Sequence, residues 1–593
     1  MTKHLLAFIL VLGSGLAAFA QTSITVTSTE VDNIIKGIYT PSTYQATTVI
    51  NNPNTISSEL LARISPDSLK SYLFTLKSFQ NRNSGSDTVS NTRGIGAARR
   101  WAYAKFLQYS AANENRLRPA YLQFNVTSGQ LCGPTQHRNI IAVLPGTQTV
   151  DKSLILVQGH IDSRCEGGCD ITCNAFGIED NATGTALVLE LARVMSKYSF
   201  RNTIVFSLNT GEEQGKYGGE AMARYFTNNN LLMKASNNND VSGGTFCGYT
   251  SSAPSCPSYG HIDSIGLRIF SFGGFNSQHK QWARYIKLQY KEQLLSQVPV
   301  ATDIRIMTAE DRTGRGGDHQ PFTPRGFTAV RFTAANENGN AATGGGYVDR
   351  QHTTRDSLGI DLNSDGIEDS LYVSQYYLAR NTLINGNSMA MAALSPDTIT
   401  LVASVVTSNR VRVQFSGASI PAYRVAIRSA TNDWDSVFTI TGKTVDTINV
   451  PYGSNTTFFI SASSVNSTNV ESLFSSEYTL SLQQVTLALR DRTVSRERAP
   501  DIHGIKLLQN QPNPFDENTR ITILSGTNLF SDRTWVIIRN QDGRVVKKIK
   551  VQLKKGINEV TYNHGFGATG VYIYSLVIDG MPLETKKMVF NKP

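Results

Sequence analysis

The chain has 593 residues, of which 40% are hydrophobic and 17% are charged, and its formal net charge is +10 at pH 7. A chain of this length is too long to form one hydrophobic core, so several domains are expected. The composition is typical of folded globular domains and excludes a disordered chain. Lysine pairs scattered near the end, such as Lys547-Lys548 and Lys554-Lys555, carry much of the excess charge without interleaved aromatic residues, which argues against a nucleic-acid partner.

The first twenty residues have the pattern of an export signal. A basic start at Lys3 and His4 precedes an apolar run over residues 5–11, and Ala18-Phe19-Ala20 resembles a cleavage site. The run is too short to span a membrane, which takes about 20 apolar residues, and no later segment qualifies. We therefore expect a signal peptide at residues 1–20, an exported mature chain that begins at Gln21, and no transmembrane anchor.

The six cysteines are expected to form disulfides, because an exported chain meets oxidising surroundings. Cys247 and Cys256 flank a short loop and predict a local bridge. The remaining four are Cys132, Cys165, Cys169 and Cys173. Their spacing is not that of a C-x-x-C zinc site and no histidine is interleaved, so we expect structural bridges, with the pairing open.

An α/β domain is predicted over residues 21–392. Residues 22 to about 120 read mostly as helices and loops, including helices over 66–79 and 95–109. From Asn139 onward, apolar strands alternate with helical patterns. The strands are predicted at 140–144, 154–158, 203–208 and 328–332, and the helices at 183–195, 221–226, 281–295 and 375–394. This alternation predicts a mostly parallel sheet with helices on both faces, after an N-terminal helical extension.

Two small all-β domains are predicted after it. Residues 393–485 hold about seven short alternating strands and resemble a fibronectin type III domain. A polar stretch at 486–503 predicts a linker. Residues 504–593 open with LLQNQPNPF, contain the hairpin signals Asp542-Gly543 and Asp579-Gly580, and end in KKMVF.

The order of these C-terminal features resembles the C-terminal sorting domain of type IX secretion. The resemblance implies that the type IX machinery is a partner. It also implies that the chain crosses the periplasm and outer membrane of a Gram-negative bacterium and is secreted or displayed on the cell surface. An ordinary β accessory domain is the alternative.

Metal-binding side chains follow strands of the predicted sheet, and open parallel sheets place their sites at the carboxyl ends of strands. The strand LILVQGH delivers His160 as a ligand. Asp162 lies two residues on and can support His160 from behind, because alternate residues of an extended chain share one side. Asp180 precedes an amphipathic helix, where a carboxylate either caps the helix or bridges two cations.

Two adjacent carboxylates, Glu212 and Glu213, follow another buried strand. Neighbouring buried acids repel each other unless a cation compensates their charge. The pair therefore predicts a division of roles, in which Glu213 binds the metal and Glu212 accepts a proton from water at the metal.

Two further ligand positions have competing candidates. Asp240, in the sequence NNND, is favoured over Asp263. His352, in QHTTRDS and with Asp356 behind it, is favoured over His319, which we expect to support the site instead.

The ordered set GHIDS, EDNATG, GEEQGKYGG, NNND, GGDHQPF and QHTTRDS resembles the co-catalytic zinc aminopeptidases, a family that includes bacterial leucyl aminopeptidases. The resemblance covers roughly residues 60–392. It implies a zinc exopeptidase fold, peptide substrates, and hydrolysis of N-terminal residues by a water that lies between two Zn²⁺ ions. The implied ligands are His160 and Asp240 for one zinc, Glu213 and His352 for the other, and Asp180 for both. Glu212 would be the general base, and Asp162 would support the ligands.

The sequence departs from this family at one position. Several relatives place a tyrosine just before the Asp-His pair, where it stabilises the reacting oxyanion, but here the stretch is RTGRGG. Arg315 or Arg312 is the expected electrostatic substitute.

A separate calcium loop is a further hypothesis. Asp361, Asn363, Asp365 and Asp369 offer alternating oxygen donors, but Tyr372 stands where an EF-hand needs glutamate. A tight turn without calcium is the alternative.

Two other functions compete with the aminopeptidase. A glutaminyl cyclase-like or carboxypeptidase-type enzyme could use the same scaffold, although cyclases of this family typically keep one zinc. A non-catalytic surface adhesin would suit the two β domains. The residue preference of the enzyme does not follow from the sequence.

Overall fold

A computed structural model describes most of the chain after the export signal. The described residues are 21–246, 261–274, 276–312, 315–335, 350–363, 368, 370–407, 409–416, 420–429, 433–453, 456–482, 505–516, 518–526, 534–540, 545–564, 569–578 and 581–591. The predicted signal peptide, the Cys247 and Cys256 pair and the predicted linker lie outside them. The chain divides into two compact units, residues 1–486 and 487–593.

The first unit starts with a short strand and four helices. They are β1 (Gln21–Val26), α1 (Thr29–Ile35), α2 (Pro53–Arg63), α3 (Pro66–Ser78) and α4 (Gly94–Ala112). Side chains cap the first three helices, since Ser28, Asn52 and Ser65 each accept a hydrogen bond from a first-turn backbone N–H. A short 3₁₀ turn at Pro41–Tyr44 lies between α1 and α2.

A nine-stranded mixed sheet forms the centre of this unit. Its remaining strands are β2 (Arg118–Val126), β3 (Gln136–Leu144), β4 (Leu154–His160), β5 (Ile204–Asn209), β6 (Met233–Asn239), β7 (Gly266–Ser271), β8 (Asp303–Ile306) and β9 (Ala329–Ala334). The order is β1-β2-β3-β5-β4-β6-β9-β7-β8. The central strands β5, β4, β6 and β9 are parallel, whereas β1, β2 and β3 add antiparallel neighbours on one side. The predicted α/β class is confirmed, and the parallel pairing lies mainly at the centre of the sheet.

Helices cover both faces of the sheet. The later helices are α5 (Thr183–Met195), α6 (Tyr217–Asn228), α7 (Gln278–Gln289) and α8 (Gln375–Leu394). One apolar core joins α2, α3, α4, α5, α7 and α8 to one face, and a second core joins α1 and α6 to the other. Alternate residues of β4 enter different cores, Ile155 the first and Leu156 the second, as the two-residue period of a strand requires. A two-stranded ladder, β10 (Gly359–Ile360) with β11 (Ser370–Leu371), precedes α8.

A β-sandwich completes the first unit. Its described strands are β12 (Thr400–Thr407), β13 (Arg410–Ser416), β14 (Ala422–Arg428), β15 (Ser436–Thr441), β16 (Val445–Asn449), β17 (Thr457–Val465) and β18 (Tyr478–Ser481). They form sheets of order β12-β13-β16 and β15-β14-β17-β18 around their own apolar core. Trp434 and Phe474 of the sandwich also enter the core of the α/β domain, so the two share buried apolar contacts.

The second unit is another pair of antiparallel sheets. Its strands are β19 (Ile505–Leu507), β20 (Asn518–Ser525), β21 (Thr534–Arg539), β22 (Val545–Lys550), β23 (Gly556–Asn563), β24 (Gly570–Ile578) and β25 (Met581–Phe590). The sheets have the orders β19-β20-β23 and β22-β21-β24-β25. β21 pairs with β22 and β24 with β25, as the two hairpin signals predict, although the turn residues themselves lie outside the described part.

Two disulfides lie in the described part of the first unit. Cys132 pairs with Cys169, and Cys165 pairs with Cys173. Structural bridging of these four cysteines is confirmed, and the structure supplies the pairing that spacing left open. Among the described residues, no helix is both long and apolar enough to cross a membrane.

Candidate metal centre

The carboxyl edge of the central strands brings the predicted ligands to one place. β4 ends at His160, whose register partner Asn209 ends β5, so the Glu212-Glu213 pair starts beside the histidine. β6, on the other side of β4, ends directly before Asp240. Parallel neighbours end at the same edge of a sheet, which is why side chains 80 residues apart along the chain (160 to 240) converge.

Two clusters of ligand atoms form at this edge, and Asp180 belongs to both. His160 Nε2 lies 3.1 Å from Asp180 Oδ1 and 3.5 Å from Asp240 Oδ1. His352 Nε2 lies 3.0 Å from Asp180 Oδ2 and 3.1 Å from Glu213 Oε2. Within each cluster, one ligand atom per residue lies within 4.8 Å of the others. The two oxygens of Asp180 thus face different clusters, which is the arrangement of a bridging carboxylate.

The donor chemistry of these clusters fits zinc. Imidazole nitrogens and carboxylate oxygens, without thiolate, are ligands that Zn²⁺ accepts. Glu213 Oε1 is buried and has no hydrogen-bond partner among the described residues, so it has capacity for a further ligand. A buried group left in this state is costly unless a cation or another partner satisfies it.

The charges of the centre shift the pKa of its members strongly. Burial lowers the pKa of His160, but the carboxylates of Asp162, Asp180 and Asp240 outweigh it and raise that pKa well above its ordinary value. Burial likewise lowers the pKa of His352, whereas Glu213 and Asp180 raise it to about 9. Without a metal, the neighbouring carboxylates therefore favour the protonated form of both imidazoles.

Burial acts in the opposite direction on the pKa of the paired glutamates. Burial raises the pKa of Glu212 well above its ordinary value, and the neighbouring carboxylates of Asp240 and Asp318 raise it further. Burial also raises the pKa of Glu213. This corner of the centre therefore disfavours negative charge when no metal is bound.

Asp162 holds the strand ends that carry these groups. Its Oδ1 and Oδ2 accept hydrogen bonds from the backbone N–H groups of Glu212 and Glu213, at 3.3 and 3.2 Å. The carbonyl oxygen of Asp162 lies 3.1 Å from His160 Nδ1. A proton on Nδ1 that is donated to this carbonyl leaves His160 Nε2 directed at the cluster.

Asp356 holds the segment of the shared carboxylate. It accepts hydrogen bonds from the backbone N–H groups of Glu179 and Asp180, at 2.8 and 3.0 Å. Burial, with Asp180 nearby, raises the pKa of Asp356 to about 7, although these two hydrogen bonds lower it. The residue predicted to stand behind His352 thus contacts the backbone at the shared ligand Asp180.

The competing candidates lie outside both clusters. His319 Nε2 contacts the backbone carbonyl of Glu310 at 3.2 Å, and burial lowers the pKa of this histidine to about 4. Asp263 accepts hydrogen bonds from the backbone N–H groups of Ile265 and Gly266, 3.0 and 2.7 Å long. The structure thus places Asp240 and His352 in the clusters and the two competitors elsewhere.

Arg331 and Asp318 are parts of the centre that the sequence reasoning missed. Arg331 is buried, and its Nη2 lies 3.3 Å from Asp240 Oδ2 while its Nη1 lies 2.7 Å from Asp311 Oδ1. An arginine inside the apolar strand β9 was the available signal, because an unpaired buried charge is rare. Asp318 accepts a hydrogen bond from Asn209 at 2.8 Å, and its burial raises its pKa to about 6. Its signal in the sequence was its position before His319 in GGDHQPF, one of the segments that carry the family resemblance.

The two arginines proposed as oxyanion stabilisers occupy different surroundings. Arg312 is buried and lies 3.7 Å from Asp311. Arg315 Nη1 lies 3.0 Å from His352 Nδ1 and 3.5 Å from Nε2. An in-plane contact at Nδ1 would leave Nε2 much farther away, so these similar distances place the guanidinium over the face of the imidazole.

The structure describes only part of the predicted calcium loop. Asp361 and Asn363 lie between β10 and β11, whereas Asp365 and Asp369 lie outside the described residues. The calcium hypothesis therefore stays a prediction.

An α/β sheet whose strand ends carry two histidine–carboxylate clusters with a shared aspartate defines a metal-dependent hydrolase. Residues 139–369, which contain all seven predicted site residues, match the model of peptidase family M28. A protein of Leptosphaeria maculans named "Probable zinc metalloprotease" is 28% identical over 393 residues, covering 63% of this chain and 85% of the relative. The matched part of the chain is thus similar to the peptidases of family M28 and to zinc metalloproteases.

Other similar proteins share smaller parts of the chain. A zinc metalloprotease of Pyrenophora tritici-repentis, named in the same terms, is 30% identical over 290 residues, or 47% of this chain and 65% of the relative. The LapA aminopeptidase of Legionella pneumophila, whose crystal structure is known, is 16% identical in sequence. The two structures match with a TM-score of 0.41 over 59% of this chain and 74% of that chain.

Proposed function

We propose that the chain is an exported zinc-dependent aminopeptidase that removes N-terminal residues from peptides. The observation that carries the proposal is the shared aspartate, because Asp180 turns one oxygen to each of two three-residue clusters. The two clusters would hold a pair of zinc ions, the arrangement that two-metal hydrolases use. The family match and the zinc metalloprotease relatives support zinc as the metal.

The proposed ligand roles follow the clusters. His160 and Asp240 would hold one zinc, Glu213 and His352 would hold the other, and Asp180, which belongs to both clusters, would serve both. When bound, the ions polarise the peptide carbonyl and make water more acidic. Asp162 and Asp356 fix the backbone of the ligand segments, so the ligands stay in place as the substrate enters.

Glu212 is proposed as the proton carrier. It lies beside Glu213, its backbone N–H is held by Asp162, and it does not belong to either ligand cluster in the described structure. The water oxygen bonds to the carbonyl carbon as Glu212 takes its proton. The C–N bond then breaks, and Glu212 returns the proton to the leaving nitrogen. The carboxylate ends in the state in which it began.

Arg315 is proposed as the group that contacts the carbonyl oxygen as that oxygen gains negative charge. Its guanidinium lies over the ring of His352, on the rim of the second cluster. Arg312 is less suited, because it is buried beside Asp311, whose carboxylate offsets its charge. A fixed cation at the developing oxyanion stabilises the transition state more than the substrate.

Export is a separate part of the proposal. The two disulfides suit an oxidising compartment. The paired sheets of residues 505–591 suit a β domain that the type IX machinery recognises, and the three-plus-four strand arrangement of the sandwich suits a fibronectin type III-like module. Export through the periplasm and outer membrane of a Gram-negative bacterium would follow from the signal peptide and this last domain together.

The test is peptidase activity on a panel of aminoacyl-nitroanilides, with zinc content measured on the same samples. We expect two zinc ions per chain, activity that chelator abolishes and zinc restores, and loss of turnover in Glu212→Gln. Cyclisation of N-terminal glutaminyl peptides without nitroanilide hydrolysis would instead indicate the cyclase. Less than one zinc per chain in carefully purified protein would favour the adhesin.

A further inference from the structure

A disulfide-closed loop at residues 163–177 joins two members of the metal centre, because it runs from Asp162, two residues after the end of β4, to the segment of Asp180. Hydrogen bonds close its neck. Ser163 Oγ donates to the carbonyl oxygen of Ala175 at 2.7 Å, and the buried Arg82 donates to the carbonyl oxygen of Gly177 at 2.9 Å. We call these residues the disulfide loop.

Two covalent bonds hold the loop in shape. Cys165–Cys173 closes a ring inside it, and Cys132–Cys169 ties its tip to the connection between β2 and β3. Asn83 adds a hydrogen bond of 2.8 Å to the carbonyl oxygen at Gly168. Cross-links of this kind restrict the conformations of a segment that lacks regular secondary structure.

The loop contacts the segment of Glu213. Gln214, the next residue, donates from Nε2 to the carbonyl oxygen of Gly168 at 3.1 Å. The oxygen of the same side-chain amide is also held, because Ser84 Oγ donates to Gln214 Oε1 at 2.5 Å. The side-chain amide of Gln214, the residue after the ligand Glu213, is thus fixed between the disulfide loop and the segment of Ser84.

The loop also contacts the segment of His352. The two carboxylate oxygens of Glu166 each lie 3.3 Å from the backbone nitrogen of Thr354, and Glu166 Oε1 lies 3.4 Å from Thr354 Oγ1. His352 itself has a φ of 59°, in the left-handed region that residues other than glycine seldom occupy. A backbone in that region persists only where surrounding contacts hold it.

These contacts fall on one cluster more than on the other. The loop leads into Asp180 and touches the segments of Glu213 and His352, which together make up the second cluster. Asp240, which belongs to the first cluster alone, is held by Arg331 from strand β9. The loop is therefore placed to set the geometry of one metal position.

We propose that the disulfide loop positions the second cluster for its metal, with Glu166 as a positioning residue that acts on His352 through Thr354. The inference rests on the proposed two-zinc function. Outer contacts of metal ligands typically change metal affinity by about 10–100-fold when they are removed. Since the Glu166 contacts are exposed, we expect the lower end of that range.

The experiment measures both zinc dissociation constants of the full chain by competition with a chromogenic chelator. Glu166→Ala is expected to raise one constant about tenfold and to leave the other within about twofold of wild type. The double variant Cys132→Ser/Cys169→Ser is expected to raise the same constant. In a His352→Ala background, Glu166→Ala should have no further effect, because the cluster it supports is already broken.

A second readout needs no metal. In the zinc-free protein, the amide hydrogen of Thr354 should exchange faster in Glu166→Ala than in wild type, because its acceptor is gone. Ile171→Ala is the matched control, since Ile171 is an exposed residue of the same loop and should change neither readout.

Two results would overturn the inference: zinc constants unchanged in Glu166→Ala, or both constants shifted equally, which would indicate general damage to the fold. Wild-type protein that binds fewer than two zinc ions would instead refute the proposed function on which the inference rests. The two failures are therefore distinguishable.

Discussion

The contact between the sandwich and helix α7 gives a stability prediction with a magnitude. Glu477 of the sandwich is buried between two arginines, with Arg428 Nε at 2.8 Å and Nη2 at 2.5 Å, and Arg284 of α7 at 3.2 Å. The side chains of all three are at most 1% exposed. Glu477→Gln keeps the shape and removes the charge, so both guanidinium groups stay buried beside a neutral amide.

Breaking a buried ion pair by removing one partner typically costs about 3–5 kcal/mol, because the charge that remains is desolvated and uncompensated. The glutamine oxygen still accepts a hydrogen bond, so we expect about 3 kcal/mol. At roughly 2–4 °C per kcal/mol for a large domain, the midpoint of thermal unfolding should fall by about 6–12 °C. Calorimetry on the full chain measures this shift, together with the number of transitions.

Asp446→Asn is the matched control in the same sandwich. Asp446 pairs with Lys443 at 3.4 Å, but the two side chains are 32% and 61% exposed, and such surface pairs contribute little. We expect a shift of about 1–2 °C at most from this change. An unchanged midpoint in Glu477→Gln would refute the reasoning, since the interface would then not hold the two parts together.

Three further predictions concern the centre. Glu212→Gln should keep its zinc and lower kcat by about 10²–10⁴, because only the proton carrier is lost, and zinc analysis with steady-state kinetics checks both. Arg315→Ala should lower kcat by about 10²–10³ at unchanged zinc content, with partial recovery in Arg315→Lys; unchanged turnover would remove Arg315 from this role. In zinc-free protein, burial lowers the pKa of His352, but Glu213 and Asp180 outweigh it and raise that pKa to about 9. The free energy of folding that protonated His352 contributes is therefore fully present below about pH 6.5 and is lost as the pH rises towards 9. Unfolding midpoints in chelator should therefore fall from pH 6.5 to 9, and a midpoint that rises over that range would contradict this sign.

Local sequence patterns were sufficient to predict a helix or strand where the period of its apolar residues agrees with its burial. The bounds of α5 and α8 match the predicted 183–195 and 375–394, where apolar residues recur at helical spacing. Strand β6 was missed, since its sequence MKASNNN is polar although the strand is buried. Its asparagines are satisfied by tertiary partners, such as Trp282, which donates to Asn237 at 2.8 Å. Burial of that kind cannot be read from local hydrophobicity.

The residues of the site likewise divide into those that local sequence patterns predict and those whose contacts only the tertiary structure shows. His160 and Glu213 each follow a predicted strand, so the rule that parallel strands end together was enough to expect them at one edge. Asp240 follows the missed strand β6, and only the family resemblance pointed to it. Arg331 contacts Asp240 from a different strand, and Glu166 contacts Thr354 across 188 residues of chain. Both contacts depend on which strands are neighbours and on how two disulfides pair, and spacing along the chain determines neither. The ligand roles themselves stay predictions until metal is measured.

The contacts of α7 also change how the β-sandwich is understood. A sequence of alternating strands after an α/β domain suggests a separate module, yet Glu477 pairs with Arg284 on α7 and Phe474 enters the α/β core. On its other side, α7 holds β6 through Trp282 and Asn237, and β6 ends directly before Asp240. One helix therefore contacts both the sandwich and the strand that delivers a proposed ligand. A chain that ends at residue 395 would lose the ion pairs on one side of that helix, so we expect the sandwich to be part of the catalytic unit rather than an appendage.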